Sequence, residues 1–160
     1  MRKRIQSVSC TVILLLSMLL ISVNNARAAS DVPILDGSYL THDEESVGYD
    51  TKMTRGEHLL VGYSKCVRQG PGKIYAGGTT IATHTVDSVR IAVIIERAQK
   101  EDTAWEYYDS WQKENSNTDR VGANRALVVE GGYYYRVRCV HAANSDVSSS
   151  FTDGVYIEKP

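Results

Sequence analysis

Apolar and polar residues alternate at a period of two along most of this chain, in short runs broken by Gly, Asn, Asp or Pro. Beyond residue 28 no long stretch carries a convincing helical period. The clearest run is VDSVRIAVIIER, where Val89, Ile91, Val93 and Ile95 fall on one side and Arg90, Ala92, Ile94 and Glu96 on the other. Successive side chains of a strand point to opposite faces, so this spacing predicts a strand with one face buried and one wet. HLLVGYSKCVR predicts an earlier strand that ends at the turn Gln69-Gly70-Pro71-Gly72. KIYAGGTTIATHTV follows, and its Gly77-Gly78 pair predicts a bulge or a close backbone approach. Further on, Tyr133, Tyr135, Val137, Cys139 and His141 share one face and are expected to point inward. Tyr134, Arg136, Arg138 and Val140 share the other and are expected to meet water. The three consecutive tyrosines are therefore not one patch.

EDTAWEYYDSWQKEN admits two readings. Thr103 and Glu106 have capping-box spacing, and Trp105, Tyr108 and Trp111 repeat every three residues, as on a helix. The strand reading puts Trp105, Tyr107 and Trp111 on one face, among residues that favour strands. Regular strands on both sides favour the strand.

The N-terminal residues follow a different pattern. Met1-Arg2-Lys3-Arg4 is basic, Thr11 to Val23 is uncharged and apolar, and Ala26-Arg27-Ala28 offers small residues at a cleavage site. This is the layout of a secretory signal peptide spanning residues 1–28. The apolar run is too short for a membrane span. Cys10 precedes that run and so is no lipid-attachment site. Residues 29–45 are polar and are expected to form a loosely ordered lead-in, with residues 46–160 making the folded domain. The C-terminal Ile157-Glu158-Lys159-Pro160 carries no apolar tail, so the product is expected to be released outside the cell without a membrane anchor.

Cleavage after residue 28 of the 160 would leave 132 residues, enough for one domain. It would also remove 4 of the 18 basic residues, leaving 14 against 19 acidic ones and a net charge of −5. That balance argues against nucleic acid as a partner.

The C-terminal third resembles a family pattern. In fibronectin type III and related immunoglobulin-like sandwiches, a Leu closes one strand and a Tyr six positions later opens the next, which then alternates apolar residues up to a small one. Leu127, Tyr133, Tyr135, Val137 and Cys139 match that spacing, and Asn144-Ser145-Asp146 would be the following turn. The resemblance covers roughly Val86 to Tyr156 and implies a single antiparallel β-sandwich, with Tyr133 as the corner tyrosine whose hydroxyl bonds to upstream backbone. Ser110-Trp111 with Gly132 to Val137 is also similar to a group of small secreted proteins of Gram-positive bacteria. Neither resemblance carries a catalytic residue.

Cys66 and Cys139 would survive signal cleavage, on the candidate strands where immunoglobulin domains place their inter-sheet bridge. Cys139 has the parity of the buried face. Cys66 shares parity with Gly62 and Ser64, opposite to Leu59, Val61 and Tyr63. A bulge after Tyr63 would allow a disulfide; without one Cys66 points outward and both thiols stay free.

No reactive constellation emerges. His42, His58, His84 and His141 lie on separate segments without ligand spacing, and are expected at surfaces or edges, not on a metal. His42-Asp43-Glu44-Glu45 lacks the order of a calcium loop. Ser148-Ser149-Ser150 is a serine-rich turn, not an activated nucleophile. Cys139 and His141 share a strand face but stand about 7 Å apart by strand rise, too far for direct proton transfer. No cofactor is implied and no enzymatic activity is expected. The face holding Tyr134, Arg136 and Arg138 combines residue types that dominate binding hot spots, and is the candidate ligand site. A solvated sheet face with cross-strand ion pairs to Glu96 or Glu158 is the alternative. The leading expectation is a secreted, non-catalytic module that binds an extracellular protein or glycan. The second is a small secreted effector, a bacteriocin-like toxin or an enzyme inhibitor.

Overall fold

The computed structural model describes residues 32–50 and 56–160, which form nine strands and no helix. The expected signal peptide, its expected cleavage site after Ala28, and Cys10 lie outside the described residues. The strands are β1 (Ile34–Leu35), β2 (Ser38–Thr41), β3 (Glu45–Tyr49), β4 (Leu59–Arg68), β5 (Lys73–Ala98), β6 (Glu106–Val128), β7 (Tyr133–Ala143), β8 (Asp146–Phe151) and β9 (Gly154–Ile157). Residues 34–41, within the expected lead-in, thus form two short strands.

One long hairpin organises the molecule. β6 runs antiparallel beside β5, with a register shift between Ile81 and Val86. Before that shift β5 pairs on its other side with β4, from Ile74 to Ala82. After it, β5 pairs with β7, from Val89 to Ala98. The same strand therefore serves two layers, flanked by β4 and β3 in its first half and by β7, β8 and β9 in its second. β4 packs across from β7 and β8, which curls the sheet into a half-barrel. Asp153 N–H donating to Ser46 Oγ (2.9 Å) and Ser148 Oγ donating to Asp50 (3.0 Å) tie β3 and the residue beyond it to the far side.

The sheet is mixed, because β2 pairs with β9 in parallel through Leu40↔Gly154 and Thr41↔Val155. β2 arrives from the distant N-terminus, so no tight turn imposes an antiparallel partner. The other pairings are antiparallel.

The period-two pattern builds the core. Val89, Ile91, Val93 and Ile95 are buried and pack with Ile74, Val121, Tyr135, Val137 and Cys139. Each such aliphatic side chain contributes about 1.5–3 kcal/mol on leaving water. At the Gly77-Gly78 pair the register stays continuous. The pair marks close approach, not a bulge: a Cβ on Gly78 would stand 2.7 Å from Cys139 Sγ.

Bulges elsewhere move side chains by one position. A register shift between Leu59 and Val61 turns Gly62, Ser64 and Cys66 inward, so Cys66 is buried without any shift after Tyr63. Both cysteines are free nonetheless. Cys66 Sγ lies 3.6 Å from Tyr135 O and Cys139 Sγ 3.7 Å from Gly77 O, so each thiol faces a different backbone carbonyl. Burial pushes both thiols up to about 12, which keeps them protonated and unreactive. EDTAWEYYDSWQKEN is strand from Glu106 onward, as the neighbouring strands favoured, within a β6 that runs on to Val128, but a shift between Ile95 and Glu96 exchanges the expected aromatics. Tyr108 and Trp111 pack on the core, while Tyr107 is exposed.

The corner tyrosine is Tyr135. Its hydroxyl donates to Glu130 O at 2.8 Å, five positions upstream, and its ring is fully buried. Tyr133, expected in that role, is half-buried beneath the Arg97 guanidinium, 4.6 Å from its ring centre.

Candidate functional site: the outer face of the β6–β5–β7–β8 layer

Register sets out the outer face in rows across the sheet. Arg90 lies between Glu114 and Ala142, Ala92 between Gln112 and Val140, Ile94 between Ser110 and Arg138, and Glu96 beside Arg136. β8 extends the rows with Val147 beside Ala142 and Phe151 beside Arg138. The alternation along VDSVRIAVIIER and YYYRVRCVH identified this face. Its two halves, however, have different surroundings.

One half is covered. β1 and β2 lie over it, where Leu35 and Leu40 join Tyr134 and Ala98 in a second small core flanked by Trp105 and Tyr156. Arg136 is the centre of the contact. Its Nε donates to Glu96 (2.7 Å), and its terminal nitrogens donate to Asp36 O (3.0 Å), Ser38 Oγ (3.1 Å) and the Asp36 carboxylate (2.8 Å). The guanidinium also sits 4.6 Å over the Trp105 ring, whose indole N–H donates to Leu35 O at 2.9 Å. The hydrogen bond from Arg136, and then its charge, hold Asp36 below the usual carboxylate range. Tyr134 and Arg136, expected to meet water, are therefore buried and unavailable to a ligand. The cause is not strand register: parity placed them on the outer face, and the N-terminal strands cover them.

The other half is open. It forms a cleft of about 550 Å³ lined by Arg90, Ala92, Gln112, Lys113, Glu114, Val140, Ala142 and Val147, together with Ile91. The centre is aliphatic and the margin is charged or polar. Glu114 is engaged by the Ser88 hydroxyl at 2.6 Å. Arg138 stands between the two halves, donating to Glu96 at 2.7 Å with its side chain 45% exposed against 4% for Arg136. Of the three expected ligand-site residues, only Arg138 reaches solvent. The sequence reading missed the cleft wall supplied by Gln112, Lys113 and Glu114, because cross-strand neighbours depend on the β5–β6 register. The Val86–Thr118 side of the bend gives that register only once the hairpin is built.

His141 is fully buried on the inner face of β7, where its strand parity put it and not at the surface or edge expected of a histidine outside any ligand spacing. Thr80 Oγ1 donates to Arg90 O (3.0 Å) and accepts from His141 Nδ1–H (2.9 Å), while the Ser150 hydroxyl donates to Nε2 (2.8 Å). A neutral imidazole satisfies all of these bonds, and burial pushes its pKa down to about 4. The ring rests on Gly62, where a Cβ would overlap it. This Ser–His–Thr chain has no solvent access and is a structural network. No group of three or more His, Cys, Asp or Glu side chains converges to hold a metal among the described residues.

No protein-family model matches this chain, and neither does any curated protein. Among solved structures it is similar to the solution structure of R. palustris CsgH, with 17% identity and a TM-score of 0.35. That similarity spans 56% of this chain and 87% of the other. A likeness this slight carries no argument.

Proposed function

We propose that this protein is a secreted, non-catalytic binding module whose open outer face takes a protein partner. The supporting observation is the cleft of about 550 Å³ between Arg90, Gln112 and Val140, with Ala92, Ala142 and Val147 in its lining. An apolar centre inside a polar margin is the anatomy of a protein–protein contact. No aromatic ring lines the cleft, so it lacks the flat stacking surface a sugar would use, and a protein is favoured over a glycan. Arg90 and Lys113 at the margin suit a partner that presents an acidic group beside an apolar segment. Secretion rests on the basic start, the Thr11 to Val23 apolar run and Ala26-Arg27-Ala28. We read the curled sheet as a derivative of the immunoglobulin-like sandwich, on the strength of the two layers joined by β5–β6 and the Tyr135 corner bond to Glu130.

The test is retention of proteins from the producing culture on immobilised wild type and on Val140→Glu, followed by direct titration of the purified pair. Val140 is on the surface, so the variant should melt within a few degrees of wild type. The reading expects a partner that binds wild type and loses at least tenfold in affinity for Val140→Glu. Equal binding to both, or no partner from a broad screen, would refute it and favour the effector reading.

A further inference from the structure

β6 is a free lateral margin of the curled sheet. It pairs with β5 and with no other strand among the described residues, so one side of its backbone presents unpaired amides and carbonyls. Two irregularities bound the straight part of this edge. The register shift between Ile95 and Glu96 interrupts β6 near its start, and Asn117, with φ at 53°, lies where β6 bends from one layer into the other. Between them Asp109 to Ser116 follow β5 in unbroken register, from Ile95 to Ser88. We propose that this stretch pairs antiparallel with the same stretch of a second copy of the chain, about a two-fold axis at Trp111.

Charge complementarity selects the occupant and the register. Residues opposite one another in an antiparallel ladder share a face, so a two-fold axis normal to the sheet must set some residue opposite its own copy. An axis at Gln112 brings no opposite charges together. One at Lys113 or Glu114 sets a charge opposite itself, which is unfavourable. Axes nearer either end of the stretch leave little overlap. At Trp111 the axis puts Asp109 opposite the partner's Lys113 and Lys113 opposite the partner's Asp109. Each contact is thus made twice, as an isologous interface requires. Both groups are available for it: neither has an ion pair among the described residues, and Asp109 accepts only from the neighbouring Ser110 amide, at 2.7 Å. Lys113 is exposed and Asp109 half-buried. On the outer face the same register sets Gln112 opposite the partner's Ser110. The row of Ala92 and Gln112 then continues into the second copy, and the two clefts lie on one continuous sheet.

The test is sedimentation equilibrium of the protein from its producing culture, at loading concentrations from micromolar to millimolar. Wild type should pass from monomer to dimer, and amides within 109–113 should gain protection from exchange as it does. Added salt should loosen the wild-type dimer, a readout that needs no variant. Lys113→Glu and Asp109→Lys should each weaken it by at least about tenfold, since each sets like charges opposite one another twice across the axis. The two changes made together exchange the pair and should restore association to wild-type strength. A wild type that stays monomeric throughout, or a dimer indifferent to salt and to both single reversals, would overturn the proposal. So would single reversals whose effects the double change does not cancel.

Discussion

Arg136 and Arg138 stand two residues apart on the same face of the same strand, yet one is buried and the other exposed. Around Arg136 the N-terminal strands, Trp105 and Glu96 exclude water and satisfy the guanidinium. Arg138 reaches solvent, and the rows beyond it open into the cleft. The difference shows that alternation specifies which way a side chain points, while its burial depends on what lies above it. A segment some 100 positions distant in the chain decides that here, through Asp36 and Ser38.

The largest break in this comparison should come from Arg136→Ala. It removes one of the two guanidinium partners of the buried Glu96, the bonds that hold Asp36 and Ser38, and the cation over Trp105, so urea denaturation should report a loss of about 3 kcal/mol. A loss below about 1 kcal/mol would mean that β1 and β2 stay seated without it.

An effect of similar size should appear with pH, from the inner face beneath the cleft. His141 titrates near 4 in the folded chain against 6.5 for an ordinary histidine, so the unfolded state takes up its proton first as the pH falls. The folded pKa is depressed, hence this contribution is complete above about pH 6.5 and is lost as the pH falls toward 4. Over that window the stability should drop by about 3 kcal/mol. Asp50 is the charged group that opposes the shift, and burial outweighs it. His141→Gln should flatten the pH profile in denaturant midpoints between those limits, at the cost of a lower plateau at neutral pH.

Smaller changes sharpen the picture further. Tyr135→Phe removes the corner hydrogen bond to Glu130 O and should cost about 1.5 kcal/mol, whereas Tyr133→Phe should cost under about 0.5 kcal/mol. The reverse order would return the corner to Tyr133. Arg138→Ala should cost under about 1 kcal/mol, since water replaces its exposed contacts and Glu96 keeps Arg136.

Much of the fold was legible where a single strand carries its own information. The inward set Val89, Ile91, Val93 and Ile95 and the turn at Gly70 to Gly72 follow from local pattern, whereas the strand character of EDTAWEYYDSWQKEN was decided by its neighbours. Residues whose placement depends on a bulge were not legible. Cys66 turns inward and Tyr108 displaces Tyr107 because the register slips by one at Leu59/Val61 and Ile95/Glu96, and nothing local marks those slips. The candidate site was half legible, since parity found the face but not its cover. His58 and His84 meet only through the bend, so nothing in their sequence spacing marked the contact.

The central claim is that Arg136 fastens β1 and β2 over one half of the outer face while the other half stays open. Amide hydrogen exchange measured residue by residue tests it most directly. In wild type the β2 amides and those of β9 should be protected, and in Arg136→Ala protection should collapse across β2 while Val89 to Ile95 in β5 keep theirs. Arg138→Ala should leave all three protected. Unprotected β2 amides in wild type, or β2 protection that survives Arg136→Ala, would contradict the account.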